Sequence, residues 1–255
     1  MIAEEKRESN PARSFRILMR LGLLLPLASV VAAMISGLGS RWGLWHFSTG
    51  FMILAGAAVA GAISSVVALI ALIAAARRNQ WERVVLFCAG LALAITAFGI
   101  PYSWYRAAKQ LPRIHDITTD TEDPPRLVAV IPLRGNAPNP PEYGGPEVAA
   151  KQREAYPDIR PLILDIPPER AFDKALSAAQ RMRWKIVEAD SRQMRIEATD
   201  TTSWFGFRDD IVIRITPLGT KSRVDVRSAS RVGLSDVGTN AARIRKYFRE
   251  LAKSA

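Results

Sequence analysis

Cysteine is nearly absent from this chain: its 255 residues include one, Cys88, inside an apolar run. A single cysteine cannot form a disulfide within the chain, so any folded part owes its stability to its core. Histidine is almost as scarce, with His46 and His115 alone. No Cys/His ligand spacing exists, which argues against a structural zinc site, and no metal or other cofactor is expected. Also missing are a phosphate-binding or dinucleotide glycine loop, a G-x-S-x-G elbow and an H-E-x-x-H pair. Without a nucleophile, a metal or a positioned histidine, no residue is assigned a catalytic role.

Acidic charge is scarce in the first half. Residues 1–113 carry 12 Lys/Arg against 4 Asp/Glu, whereas residues 114–255 carry 23 against 20. The net charge of +11 is therefore concentrated around apolar segments. It does not form a phosphate-tracking surface in the second half, so nucleic acid is not an expected partner.

What the first half does contain is long apolar runs. Ile17–Leu38 has no charge but Arg20, and Phe47–Ala76 and Val84–Trp104 have none. A helix needs about 20 apolar residues to cross the hydrocarbon core, so each run can span a bilayer. No small-x-small cleavage site follows Ile35, and the first run reads as an uncleaved helix rather than a signal peptide. Lys6, Arg7, Arg13, Arg16 and Arg20 precede or open the first span, Arg41 alone lies in the first loop, and Arg77, Arg78 and Arg83 lie in the second. By the positive-inside rule the N-terminus and second loop are cytoplasmic and the C-terminal domain is outside. Arg106, Lys109 and Arg113 oppose this, but long domains translocate largely regardless of charge. Trp42, Trp45, Trp81, Trp104 and Tyr105 stand at span ends as interface anchors.

The expected organisation is a cytoplasmic N-terminus at 1–16, a three-helix transmembrane region at 17–105 (spans 17–38, 47–76 and 84–104), a proline-rich connector at 106–146 and an α+β extracytoplasmic domain at 147–255. Ala57, Gly61 and Ser65 share a face of the second span, for packing within the bundle or for a homo-oligomer. Pro26 is expected to disturb the first span.

The connector has seven prolines between Pro124 and Pro146 and reads as extended. Its Asp116, Asp120, Glu122 and Asp123 lack the spacing of a calcium loop and read as part of a solvated strap. The run "RLVAVIPL" is expected to lie along the domain or the membrane surface. Beyond it, "QMRIEAT", "DDIVIRITP" and "SRVDVRSAS" alternate apolar and polar residues with a period of two, the mark of an antiparallel sheet with one wet face. "PPERAFDKALSAAQRM" and the segment after Thr239 have helical spacing. In that last helix Ala241, Ile244, Phe248 and Leu251 share a face, while Arg243, Arg245, Lys246, Arg249 and Lys253 hold the other. The order is β-α-β-β-β-β-α: four or five antiparallel strands covered by helices.

Two segments, "ATDTTSWFGFRDDIVIRI" (Ala198–Ile215) and "VDVRSASRVGLSDVGTNAARI" (Val224–Ile244), closely resemble the bacterial family known as domain of unknown function 1499. The resemblance covers roughly 114–255, and "IHDITTD" looks like the family's opening. It implies a bacterial envelope protein with N-terminal membrane spans and supplies no activity and no catalytic residues.

The same two segments carry unusual chemistry on turns. Trp204, Phe205 and Phe207 surround Gly206, followed by Arg208, Asp209 and Asp210. The aromatics either plug the sheet or stand exposed as a partner or lipid surface. Adjacent strand residues point to opposite faces, so Asp209 and Asp210 cannot readily share a proton, and pairing with Arg208 or Arg231 is the simpler role. In the second turn Asp236 or Thr239 can cap the last helix, with Gly233 and Gly238 easing the bend. If both turns lie at one end of the sheet, Trp204, Phe207, Arg208, Asp209, Arg231, Asp236 and Asn240 form one ligand- or partner-binding site. The function expected is that of an inner-membrane protein whose outer domain binds another envelope protein. The alternatives are a carrier of lipid or a small apolar ligand, and an enzyme on envelope substrates.

Overall fold

A computed structural model of the protein describes residues 11–253, so most of the expected 1–16 segment, including Lys6 and Arg7, lies outside the described residues. The chain divides into two compact units, Met1–Arg106 and Ala107–Ala255.

The first unit consists of three long helices: α1 (Pro11–Arg41), α2 (Phe47–Ala76) and α3, which starts at Trp81 and ends at Gln110. Each is long and apolar enough to cross a membrane. The helices overrun the first and third apolar runs because backbone hydrogen bonding continues past the last purely apolar residue. Pro26 stands inside α1, which continues through it as one helix.

Packing follows the size of the side chains. The buried face of α2 is Gly50, Leu54, Ala57, Gly61, Ser64, Ala68, Ala71 and Ala75, in alternating steps of three and four. Small residues let backbones approach closely, which is where helix contact gains most in lipid. A Cβ on Gly61 would meet the Phe98 amide at 3.0 Å and the Ala94 carbonyl at 3.1 Å, and one on Gly90 would meet the Gly22 carbonyl at 3.0 Å. Ala57 and Gly61 are thus used inside the bundle, and the Ser65 hydroxyl donates to the Gly61 carbonyl at 2.9 Å. Leu24, Met52, Val59, Ile70, Val85 and Ile95 face outward.

The second unit is a six-stranded antiparallel sheet with helices. Its strands are β1 (Asp116–Thr118), β2 (Leu162–Leu164), β3 (Lys185–Asp190), β4 (Arg195–Thr201), β5 (Arg208–Leu218) and β6 (Lys221–Ser230). The order is β1-β6-β5-β4-β3, with β2 beside β1 along the same edge of β6. The segment expected as a connector, 106–146, contains a strand: β1 comes from within it, pairs with β6 and gives the sheet its sixth strand. A short helix, α4 (Ile131–Arg134), precedes α5 (Gly145–Ala155), whose Gln152 covers the free edge of β1, donating to the Thr118 carbonyl at 2.6 Å and accepting from the Thr118 amide at 2.9 Å.

One face of the sheet is the expected apolar layer. Ile196, Ala198, Ile211, Ile213, Ile215, Val224 and Val226 pack under α6 (Pro168–Arg181) and α7 (Thr239–Ala252). Pro168 opens α6, and Ala171, Phe172, Ala175, Ala178 and Ala179 line its buried face. Tyr247 of α7 stacks on Trp184 at 5.1 Å and donates its hydroxyl to the Ala175 carbonyl at 3.0 Å.

The other face is not wet. Glu197, Asp210 and Asp225 are fully buried and Arg227 is 2% exposed, because the proline-rich segment lies across them. Leu127 and Val130 of that segment pack on Val212 and Ala229. Glu197 accepts the amides of Val128 at 3.0 Å and Val130 at 3.1 Å. Arg227 grips Asp116 through Nε at 2.9 Å and a terminal nitrogen at 2.6 Å, and donates to the Pro125 and Pro141 carbonyls. Prolines suit this strap, since they keep it extended and leave its carbonyls free for arginine.

Candidate functional site

The two polar turns lie at one end of the sheet. Asp209, near the start of β5, pairs with Ser230, the end of β6, and the Arg231 amide donates to the Arg208 carbonyl at 3.0 Å. In the first turn the Thr202 amide bonds the Phe207 carbonyl at 2.8 Å and the Thr202 hydroxyl accepts the Phe207 amide at 2.9 Å. Gly206 takes the left-handed conformation the bend requires, at φ 73°. The aromatics divide: Phe205 is the buried plug, stacked on Phe207 at 5.5 Å and edge-on to Trp204 at 5.0 Å, while Trp204 and Phe207 are half-buried. Arg208 is exposed.

The second turn holds the entry of the chain. The Ser230 amide donates to the His115 carbonyl at 2.9 Å and the Asp236 amide to the Ile114 carbonyl at 3.1 Å. Helix α7 is capped differently from the two forms considered. Its N-cap position is Gly238, at φ 78°, and Thr239 is already helical. Asp236 still supplies the capping chemistry from two residues earlier, accepting the Gly238 amide at 2.9 Å and the Asn240 amide at 2.7 Å. Burial pushes the Asp236 carboxyl above its ordinary value; these two amides oppose the shift, Asp209 adds to it and Arg243 reduces it.

Asp209 and Asp210 do point to opposite faces, and each meets arginine. On the helix side, Arg243 joins Asp209 at 2.5 Å and Asp200 at 2.9 Å and also donates to Ser228 and Asn240. Asn240 completes this cluster, donating to the His115 carbonyl and the Ser230 hydroxyl, both at 3.0 Å. On the strap side, Asp210 accepts Arg134 at 2.6 Å, Arg231 at 2.8 and 3.0 Å, and the Thr199 hydroxyl at 2.9 Å. Arg231 also reaches the Leu133 carbonyl.

Of the residues assigned from sequence, Asp209, Asp236 and Asn240 share the helix-side cluster, Arg231 belongs to the strap-side cluster, and Trp204, Phe207 and Arg208 form the rim. Arg243 and Arg134 were missed. Arg243 was expected on the outer face of α7, yet it is 6% exposed, because it follows Asn240 by three residues and reaches back over the sheet end. Arg134 gave no signal beyond one basic residue in a proline-rich run. Chemically, Asp210 is closed: its two oxygens take four bonds from guanidinium and hydroxyl donors, which leaves no direction for a substrate proton, while Asp209 holds Arg243 through one oxygen. Among the described residues no group of three His, Cys, Asp or Glu side chains is placed to hold a metal ion. Asp120 and Asp123 of the acidic run instead meet Arg214, and Asp120 also meets Arg223.

An α+β domain following three membrane-length helices defines the class, that of a membrane-associated protein. Residues 116–251, more than half of the chain, match the family described as "Protein of unknown function (DUF1499)", and the chain belongs to that family. A comparison with curated proteins gave no match.

Proposed function

We propose that the protein is a bacterial inner-membrane interaction module: three spans hold a rigid outer domain that binds through its surface instead of turning over a substrate. The observation that carries this reading is that both aspartates at the sheet end are paired with buried arginine. Asp209 and Asp210 are spent on Arg243, Arg134 and Arg231, which stiffens the end of the sheet and leaves its rim for contact. The basic residues around the spans support a cytoplasmic N-terminus and an outer C-terminal domain. A carrier needs room between helices and sheet, and that layer is filled by Ile211, Ile213, Ile244 and Tyr247, all fully buried. An open groove of about 270 Å³ beside Arg126, Arg195 and Arg214 is too shallow to enclose an apolar ligand.

The test is photo-crosslinking in living cells from a photoreactive phenylalanine analogue at position 207. The expected result is an adduct to a molecule outside the chain, identified by mass spectrometry. Links confined to the chain itself would overturn the interaction reading.

A further inference from the structure

The end of the sheet that carries both turns is also the end at which the chain arrives from α3. Ile114, whose carbonyl holds the Asp236 amide, is four residues beyond Gln110, the last residue of α3. Four extended residues reach at most about 14 Å. The headgroup region of one leaflet is itself about 5–8 Å deep, half the difference between a full bilayer and its hydrocarbon core. Trp104, the end of the apolar run, lies six helical residues before Gln110, which adds about 9 Å. The whole tether is short enough for this end of the domain to reach the lipid surface.

Its outermost side chains are apolar. Leu234 is 76% exposed, Leu133 50% and Val237 41%. They belong to one surface, because the Leu133 carbonyl accepts from Arg231 and the Gly233 carbonyl accepts from Asn139 of the same strap. Val237 holds a left-handed backbone at φ 50°, which a β-branched residue rarely adopts, and its side chain is directed to the surface. Water gives no reason to spend strain on exposing a valine; an acyl-chain boundary does. The aspartates of this end are occupied by arginine or, for Asp236, by helix amides, whereas Arg113 and Arg208 are exposed. Apolar tips flanked by cations match a bilayer interface with anionic headgroups.

From this we infer that Leu234, Val237 and Leu133 insert into the headgroup–acyl boundary of the membrane in which the chain is anchored, with Arg113 and Arg208 on lipid phosphates. The inference rests on the interaction reading and names the bilayer surface as what this end of the domain contacts.

The experiment uses the full chain with Cys88→Ala, so that an introduced thiol is the sole one. Leu234→Cys and, separately, Leu218→Cys carry an environment-sensitive fluorophore; Leu218 is 46% exposed but sits at the opposite end of β5. Each protein is reconstituted into phosphatidylcholine–phosphatidylglycerol vesicles containing a lipid with a nitroxide just below the headgroup. The expected result is severalfold stronger quenching at 234 than at 218, repeated with Val237→Cys. Quenching at 234 and 237 no greater than at 218 would overturn the inference. In that case an adduct to another protein from position 207 would leave the interaction reading standing, so the two failures are separable.

Discussion

The two units solve opposite solvent problems. In the helical unit the buried face of α2 is Gly, Ala and Ser apart from Leu54, and the exterior is rich in Leu, Ile, Val and Met. In the C-terminal domain the helix-covered layer is Ile, Val and aromatic residues, and a second interior layer is made of charges. Burying apolar bulk gains nothing where the surroundings are hydrocarbon, so shape decides what goes inside the first unit. In water, apolar burial drives folding, and a charge can follow it inside only with a partner. What a residue contributes is thus fixed by what surrounds the unit it belongs to.

The strongest way to break this contrast is to leave a charge alone in the ionic layer. Arg227→Ala strands Asp116, which is 3% exposed, and is expected to cost about 3–5 kcal/mol in thermal or denaturant unfolding of the C-terminal domain. Replacing both partners of that pair by apolar residues should recover much of the loss, since it is the unpaired charge that is costly. Next comes volume in the helical unit. Gly61→Leu forces α2 away from α3 and is expected to cost about 1–3 kcal/mol, read as a lower midpoint for thermal aggregation in detergent. Val59→Leu, two residues away and exposed, should leave that midpoint unchanged.

A finer test sets two aspartates against each other by pH. Burial pushes the Asp120 carboxyl up, but the Asp123 and Glu122 amides with Arg223 and Arg214 outweigh it and hold it below its ordinary 3.8. Its stabilisation is present above that value and is lost as pH falls through the lower folded one. Asp236 has the opposite sign: its folded value is raised, so ionisation costs stability, and that cost is relieved as pH falls through the raised value. In stability–pH profiles, Asp120→Asn should flatten the acid loss below 3.8, and Asp236→Asn should remove a gain that begins above it. The smallest effect is expected at Ile163→Thr, exposed in β2, which should stay within about 0.5 kcal/mol of the parent.

How much of this was readable beforehand varied with the range of the interaction. Phe47–Ala76 coincides with α2 because thirty uncharged residues leave no earlier stopping point. The alternation of Ile211, Ile213 and Ile215 placed β5's faces correctly, since side-chain direction in a strand is local. The burial of the polar face was not readable: a solvated Asp225 and a buried one have the same spelling, and what buries it arrives from Asp120 through Arg214 and Arg223. For the same reason β1, three residues long, passed for part of a connector. At the candidate site the nearness of the two turns was inferable from an antiparallel β5–β6 hairpin, whereas Arg243's inward reach depended on Asp200 and Asp209 meeting it from two other elements.

The strap also sets a timetable. Arg227 and Asp116 are 111 residues apart, and Arg134 and Asp210 are 76 apart. The ionic layer is thus closed by the last two strands onto the segment after α3, and until β5 and β6 exist the carboxylates of that segment lack Arg214, Arg223 and Arg227. Contacts this distant in sequence form slowly, because the whole intervening loop must be ordered first. A chain made from its N-terminus completes all three membrane-length helices while this domain is still unfinished, and the domain reaches its native state only after nearly its full length is available.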